Sequence, residues 1–182
     1  MACGGNSKFF IVGNVFLLLV PILDLIGVAT PFWIYGEKSG QKISLGLWTV
    51  CVSENISGSE VSGCVEYKDI LDCIKVVRGF GLLGIIISAI AFIFALLKIC
   101  FKDSLFVLII AIILSFISAV CTVVSIAVFA ENYDDLLKDS SFVHFSFSFA
   151  LCAVSIVLSA IAGICMIIEI AKRSSYTTID GR

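Results

Sequence analysis

Pro31-Phe32-Trp33, Leu45-Gly46-Leu47-Trp48-Thr49-Val50-Cys51 and then Cys64 form the stretch on which the fold turns. It holds two tryptophans, two cysteines and the acceptor sequon Asn55-Ile56-Ser57. It lies between the first and second of four long apolar runs, so all of it must sit on one side of whatever those runs cross. Its aromatic and β-branched segments, Phe32–Tyr35, Ile43–Trp48, Thr49–Ser53 and Val61–Tyr67, are short and separated by Gly- and Ser-rich turns, which predicts a small antiparallel sheet. Lys68–Val77 reads as helix leading into the second run.

The runs on either side fix the class. With 60% hydrophobic and only 14% charged residues in a chain of 182, and a mean hydropathy of +1.14, this is an integral membrane protein; soluble domains average about 45–50% apolar and about 25% charged. Spans are expected at residues 9–30, 79–97, 104–130 and 145–168, leaving outer loops at 31–78 and 131–144 and tails at 1–8 and 169–182. The first run has 22 residues, beyond the roughly 7–15 of a signal-peptide core, so it is read as a retained span. Asp24 costs that span about 2.5 to 3.5 kcal/mol, while its apolar residues return about 6.

Small residues recur at spacings of three and four in the later runs: Gly81, Gly84, Ser88, Ala91 and Ala95; Ala111, Ser115, Ser118, Thr122 and Ser125; Ser148, Cys152, Ser155, Ser159 and Ala162. In lipid, association relies on close backbone approach, and a 3.5-residue period keeps each seam on its partner, which predicts one left-handed four-helix transmembrane bundle. Asn14, Pro21 and Asp24 share one face of the first span and are expected to point inward. An intramembrane acid needs a partner, and Arg78 at the outer end of the second span is the expected one, through an ion pair or a water-linked contact with Asp24.

Six basic residues fall on each side of the membrane, so the positive-inside rule leaves the orientation tied. The loop chemistry breaks the tie. The Asn55 sequon and the Cys51–Cys64 pair that flanks it both require the lumenal or extracellular side, which puts the termini in the cytoplasm. Closing that loop is worth about 3 kcal/mol on the chain-entropy argument. Cys73 is left outside as a free thiol or a link to a partner chain. The two tryptophans suit either the membrane interface or packing beneath the sheet.

No nucleophile motif, no metal-spaced His/Cys cluster and no C-x-x-C appears, so neither catalysis nor a cofactor nor a metal is expected. A net charge of −2 without charge blocks gives no reason for nucleic-acid binding. The partners expected are the lipid bilayer and, through the loops and seams, a second copy or another membrane protein.

Trp33, Gly46-Leu47-Trp48, Cys51, Cys64 and Arg78 as a spaced set resemble the signature of the claudin, peripheral myelin protein and epithelial membrane protein superfamily. His144-Phe145-Ser146-Phe147-Ser148-Phe149-Ala150-Leu151 is similar to the start of the last span in the latter two branches. The resemblance implies a four-helix bundle capped by an extracellular sheet, tied by Cys51–Cys64, with one strand from the second loop. It implies a structural or adhesive role at cell–cell contacts, as junction organiser or paracellular barrier, in the plasma membrane. The alternatives it implies are an auxiliary subunit of a channel or receptor, or a membrane organiser of the peripheral myelin type. Against the claudin branch, Trp33 to Gly46 is short and the turn between the cysteines is long and polar. No clear PDZ ligand is expected from Asp180-Gly181-Arg182, whereas Tyr176-Thr177-Thr178-Ile179 has the form of a sorting signal running from Tyr176 to Ile179.

Overall fold

The computed structural model describes residues 8–38, 40–56, 59–66, 72–100, 105–132 and 143–180, with backbone alone at 55, 56, 59, 60, 100 and 173–180. The four apolar runs form helices α1 (Lys8–Ala29), α2 (Asp72–Cys100), α3 (Leu105–Glu131) and α4 (Phe147–Asp180), each long and apolar enough to cross a membrane. α1 packs on α2 and α4, and α3 packs on the same two, so the helices close into a ring.

Every small residue of the three predicted seams is buried. At the seams the hydroxyls bond across helices. Ser118 Oγ donates to Gly84 O at 3.0 Å and Ser125 Oγ to Val77 O at 3.0 Å, joining α3 to α2, while Ser159 Oγ donates to Ser115 O at 2.8 Å, joining α4 to α3. Hydrocarbon offers these groups no solvent, so each bond made inside the bundle removes an unsatisfied donor. A Cβ on Gly27 would fall 2.6 Å from Cys152 Sγ, which is why α1 and α4 approach so closely there.

Over the end of the bundle nearest Ala29 lies one antiparallel sheet. It comprises β1 (Ile34–Lys38), β2 (Gln41–Leu45), β3 (Thr49–Ile56), β4 (Ser59–Glu66) and, from beyond α3, β5 (Val143–Phe145), in the order β4-β3-β2-β1-β5. Ile34, Leu45, Val50 and Val65 oppose one another in turn and so share a face. The first three pack on the end of the bundle in one core with Val28, Trp33, Leu47, Ile74, Val77 and Phe129. Gly40 turns the chain from β1 to β2 at φ 83°, a conformation side chains resist.

Several boundaries differ from the sequence-based expectation. Of the polar segment, residues 54–56 extend β3 and residues 59–63 extend β4, giving a hairpin of two eight-residue strands, because the register that opposes Cys51 to Cys64 also opposes Asn55 to Glu60. α2 starts at Asp72, where the Asp72 carboxylate and Lys75 form a 2.7 Å ion pair in the first turn. α4 continues through the expected tail to Asp180, so Tyr176 and Ile179 have helical backbone; their side chains, and the second-loop residues 133–142, lie outside the described residues.

Candidate functional site

The signature residues converge where α1 ends, and the reason lies in the backbone. A helix leaves its last four carbonyls without intrahelical donors. In α1 the deficit is sharpened by Pro31, which has no N–H to offer the Gly27 carbonyl four residues before it. Two indoles fill the gaps. Trp33 Nε1 donates to Gly27 O at 2.8 Å, and Trp48 Nε1 donates to Val28 O at 2.8 Å. Thr30 completes the cap, its N–H and its hydroxyl both reaching Ile26 O. The Thr30 hydroxyl also lies 2.7 Å from that of Ser148 on α4.

Trp33 carries most of the packing. It is fully buried, with Phe129 of α3 edge-on at 4.7 Å between ring centroids and Phe149 of α4 at 6.0 Å. Its backbone N–H donates to Leu45 O on β2, and its carbonyl accepts from Ser146 N–H. One residue therefore ties α1, α3, α4 and the sheet together. The two tryptophans divide the roles that either might have taken: Trp33 is core, whereas Trp48 stays 38% exposed at the rim.

The Gly46-Leu47-Trp48 turn is pinned from both sides. A Cβ at Gly46 would fall 2.4 Å from Pro31 Cα and 3.1 Å from Thr30 O, both backbone atoms that cannot yield, so only glycine allows this approach. From α2, Arg78 donates through Nε at 2.8 Å and through Nη2 to Leu47 O, and its guanidinium lies 4.6 Å from the Trp48 ring centroid. A planar fork that both stacks and donates twice has no equivalent in lysine. Arg78→Lys is therefore expected to destabilise by about 1–3 kcal/mol, read as a lowered unfolding midpoint in detergent. An unchanged midpoint would mean that charge alone matters at this position.

Asp24 and Arg78 form no direct ion pair. Asp24 sits about 4.5 Å deeper than Gly27 along the helix and is 1% exposed. Its carboxyl oxygens accept from Thr122 Oγ1 of α3 at 3.4 Å and from Ser155 Oγ of α4. Arg78 is on α2 and turns up to the Leu47 carbonyl instead. Both hydroxyls also lie near carbonyls of their own helices, Ser118 O at 3.2 Å and Cys152 O at 2.8 Å, so Asp24 is a hydrogen-bonded node of three helices. Asn14 is half-buried: its amide donates to Phe10 O of its own helix at 2.8 Å and its Oδ1 is buried.

Beyond the clasp, Cys51 and Cys64 form a disulfide between directly opposed residues, on the sheet face away from the core. Cys73 is a half-buried free thiol packed against that core. Asn55 is the penultimate residue of β3, at the far end of the hairpin. Sequence reasoning missed the indole caps and the partner of Arg78; the proline that removes the N–H owed to Gly27 was the available signal for the first of these.

These groups hold a sheet rigidly on a bundle. The sequence profile of the PMP-22/EMP/MP20/Claudin family matches residues 7–166. No curated protein sequence matches the chain.

Proposed function

The chain belongs to the PMP-22/EMP/MP20/Claudin family, and from that premise we propose that it is a structural, non-enzymatic plasma-membrane protein that acts at cell–cell contacts through its sheet. The observation that carries this reading is the clasp. Trp33, Trp48 and Arg78 each donate to a main-chain carbonyl of the chain itself, which fixes the sheet to the bundle, with the β3–β4 hairpin at one edge of that sheet. Val52, Val61 and Val65 on that hairpin are 42%, 57% and 67% exposed, as a contact surface needs and as solvated loops do not.

The sheet is proposed to face the cell exterior, with both tails in the cytoplasm, because the disulfide and the Asn55 sequon belong to the same hairpin and both require an oxidising, glycosylating compartment. Digestion with an N-glycosidase is expected to shift the mobility of the wild-type chain but not that of Asn55→Gln; an unglycosylated wild type would remove this support for the orientation.

The contact role is tested by imaging tagged protein in mixed cultures. Enrichment is expected where two expressing cells touch and not at free edges. Uniform surface staining, with a larger membrane protein co-purifying in fixed ratio, would replace this reading with that of an auxiliary subunit.

A further inference from the structure

The strands of the first loop set their side chains in rows across the sheet. One row runs Ile34, Leu45, Val50, Val65 and the next Gly36, Ile43, Val52, Gly63, both on the face that packs on the bundle. Cover fails along the first row: Ile34 and Leu45 are buried, Val50 is half-buried and Val65 is 67% exposed. Neighbouring strands lie about 4.8 Å apart, so Val65 sits roughly 14 Å from Ile34, beyond the part of the sheet that the helices cover.

The uncovered hairpin is nonetheless two-sided. Its bundle-side face carries Val50, Val52, Val61 and Val65, whereas its opposite face carries Thr49, Ser53, Ser62, Glu66 and the disulfide. An antiparallel sheet alternates in this way where one face meets water and the other an apolar medium. The helices are that medium for Val50; for Val52 and Val65 it is whatever lies beside them. Trp48 marks the level. Its N–H turns in to Val28 O near the end of α1, and its ring stays exposed at the rim, as suits the bilayer boundary. β3 begins at the next residue, so Val50, and Val65 opposite it, lie within about 7 Å of that level along the strand. Farther out on the same face come Lys38, Gln41 and Glu54, with Gln41 donating to Glu54 at 3.0 Å, polar groups that a headgroup layer accepts.

We propose that the bundle-side face of the β3–β4 hairpin seats on the bilayer beside the helices, with Val52 and Val65 among lipid at the headgroup boundary. Exposed apolar patches mark sites for protein or membrane. Lipid is the occupant here because this face continues the one that caps the membrane-spanning helices, and what adjoins such helices at their ends is bilayer. The opposite face, with the disulfide and Glu66, is thereby turned away from the membrane, where a neighbouring cell can reach it. Lipid seating rests on the membrane reading and not on the contact role, so uniform staining in the imaging experiment would leave it standing.

The test uses the full chain, one copy per phosphatidylcholine nanodisc, so that no second copy can cover the hairpin. A photoreactive diazirine side chain is placed at Val65 or at Ser62, both exposed and on opposite faces of β4. On irradiation the chain labelled at Val65 is expected to gain the mass of one phosphatidylcholine molecule, and the chain labelled at Ser62 the mass of water. Capture of water at Val65, capture by the chain itself there, or equal lipid capture at both positions would overturn the seating. If the diazirine side chain prevents recovery of folded protein, Val65→Trp decides. Lipid brominated near the headgroup is expected to quench its emission beyond that of the wild type, and to leave the added emission of Ser62→Trp unquenched. Equal quenching of the two variants, or none in Val65→Trp, would overturn the seating as well.

Discussion

Trp33→Ala is expected to destabilise the chain by about 3–5 kcal/mol, the range for truncating a buried aromatic. Two losses combine. The fully buried indole leaves a cavity among Val28, Leu47, Phe129 and Phe149, where α1, α3, α4 and the sheet all meet. The Gly27 carbonyl also loses its donor, and Pro31 cannot replace it. Trp33→Phe separates the two effects. It keeps most of the apolar bulk and lacks the N–H, so it should cost about 1–3 kcal/mol, the penalty for a buried acceptor left unmade. Unfolding midpoints of the purified proteins in one detergent check both values. If Trp33→Ala melts with the wild type, the sheet is not held by this clasp.

The second large effect is local. Cys51→Ser opens a loop of 13 residues, worth about 3 kcal/mol on the chain-entropy argument. The bond lies on the sheet face opposite the core, in the outer two strands, so the loss should concentrate in β3 and β4. Amide exchange is expected to accelerate in residues 49–66 while α1 to α4 keep their protection. Loss of protection throughout the helices would show that the hairpin and the bundle fold as one unit. Because the proposed contact surface is that same hairpin, the variant should also lose enrichment at cell contacts while remaining inserted in the membrane.

Much of this architecture was legible because its signals are local and periodic. Hydropathy over about 20 residues marks a span whatever lies beside it, and each small residue named in the three seams is buried. The Cys51–Cys64 bridge was legible because these two of the loop's three cysteines flank one short polar segment. The sheet was visible as alternating segments, but its ends were not: Glu54 to Gly63 is polar, and only the register with the opposing strand makes it a hairpin.

Partner choice behaved differently. The sequence alone determined four membrane-crossing helices, their mutual seams, a sheet between the first two and the disulfide that ties it, since composition and spacing carry these. Only the tertiary structure decided that the two tryptophans cap α1, that Arg78 serves the Leu47 carbonyl, and that Asp24 answers to Thr122 and Ser155. The physical reason is that a polar group in a membrane protein takes whichever partner the fold brings within about 3 Å. For Pro31–Cys64 that depends on where chain segments up to about a hundred residues away return, which no local pattern encodes.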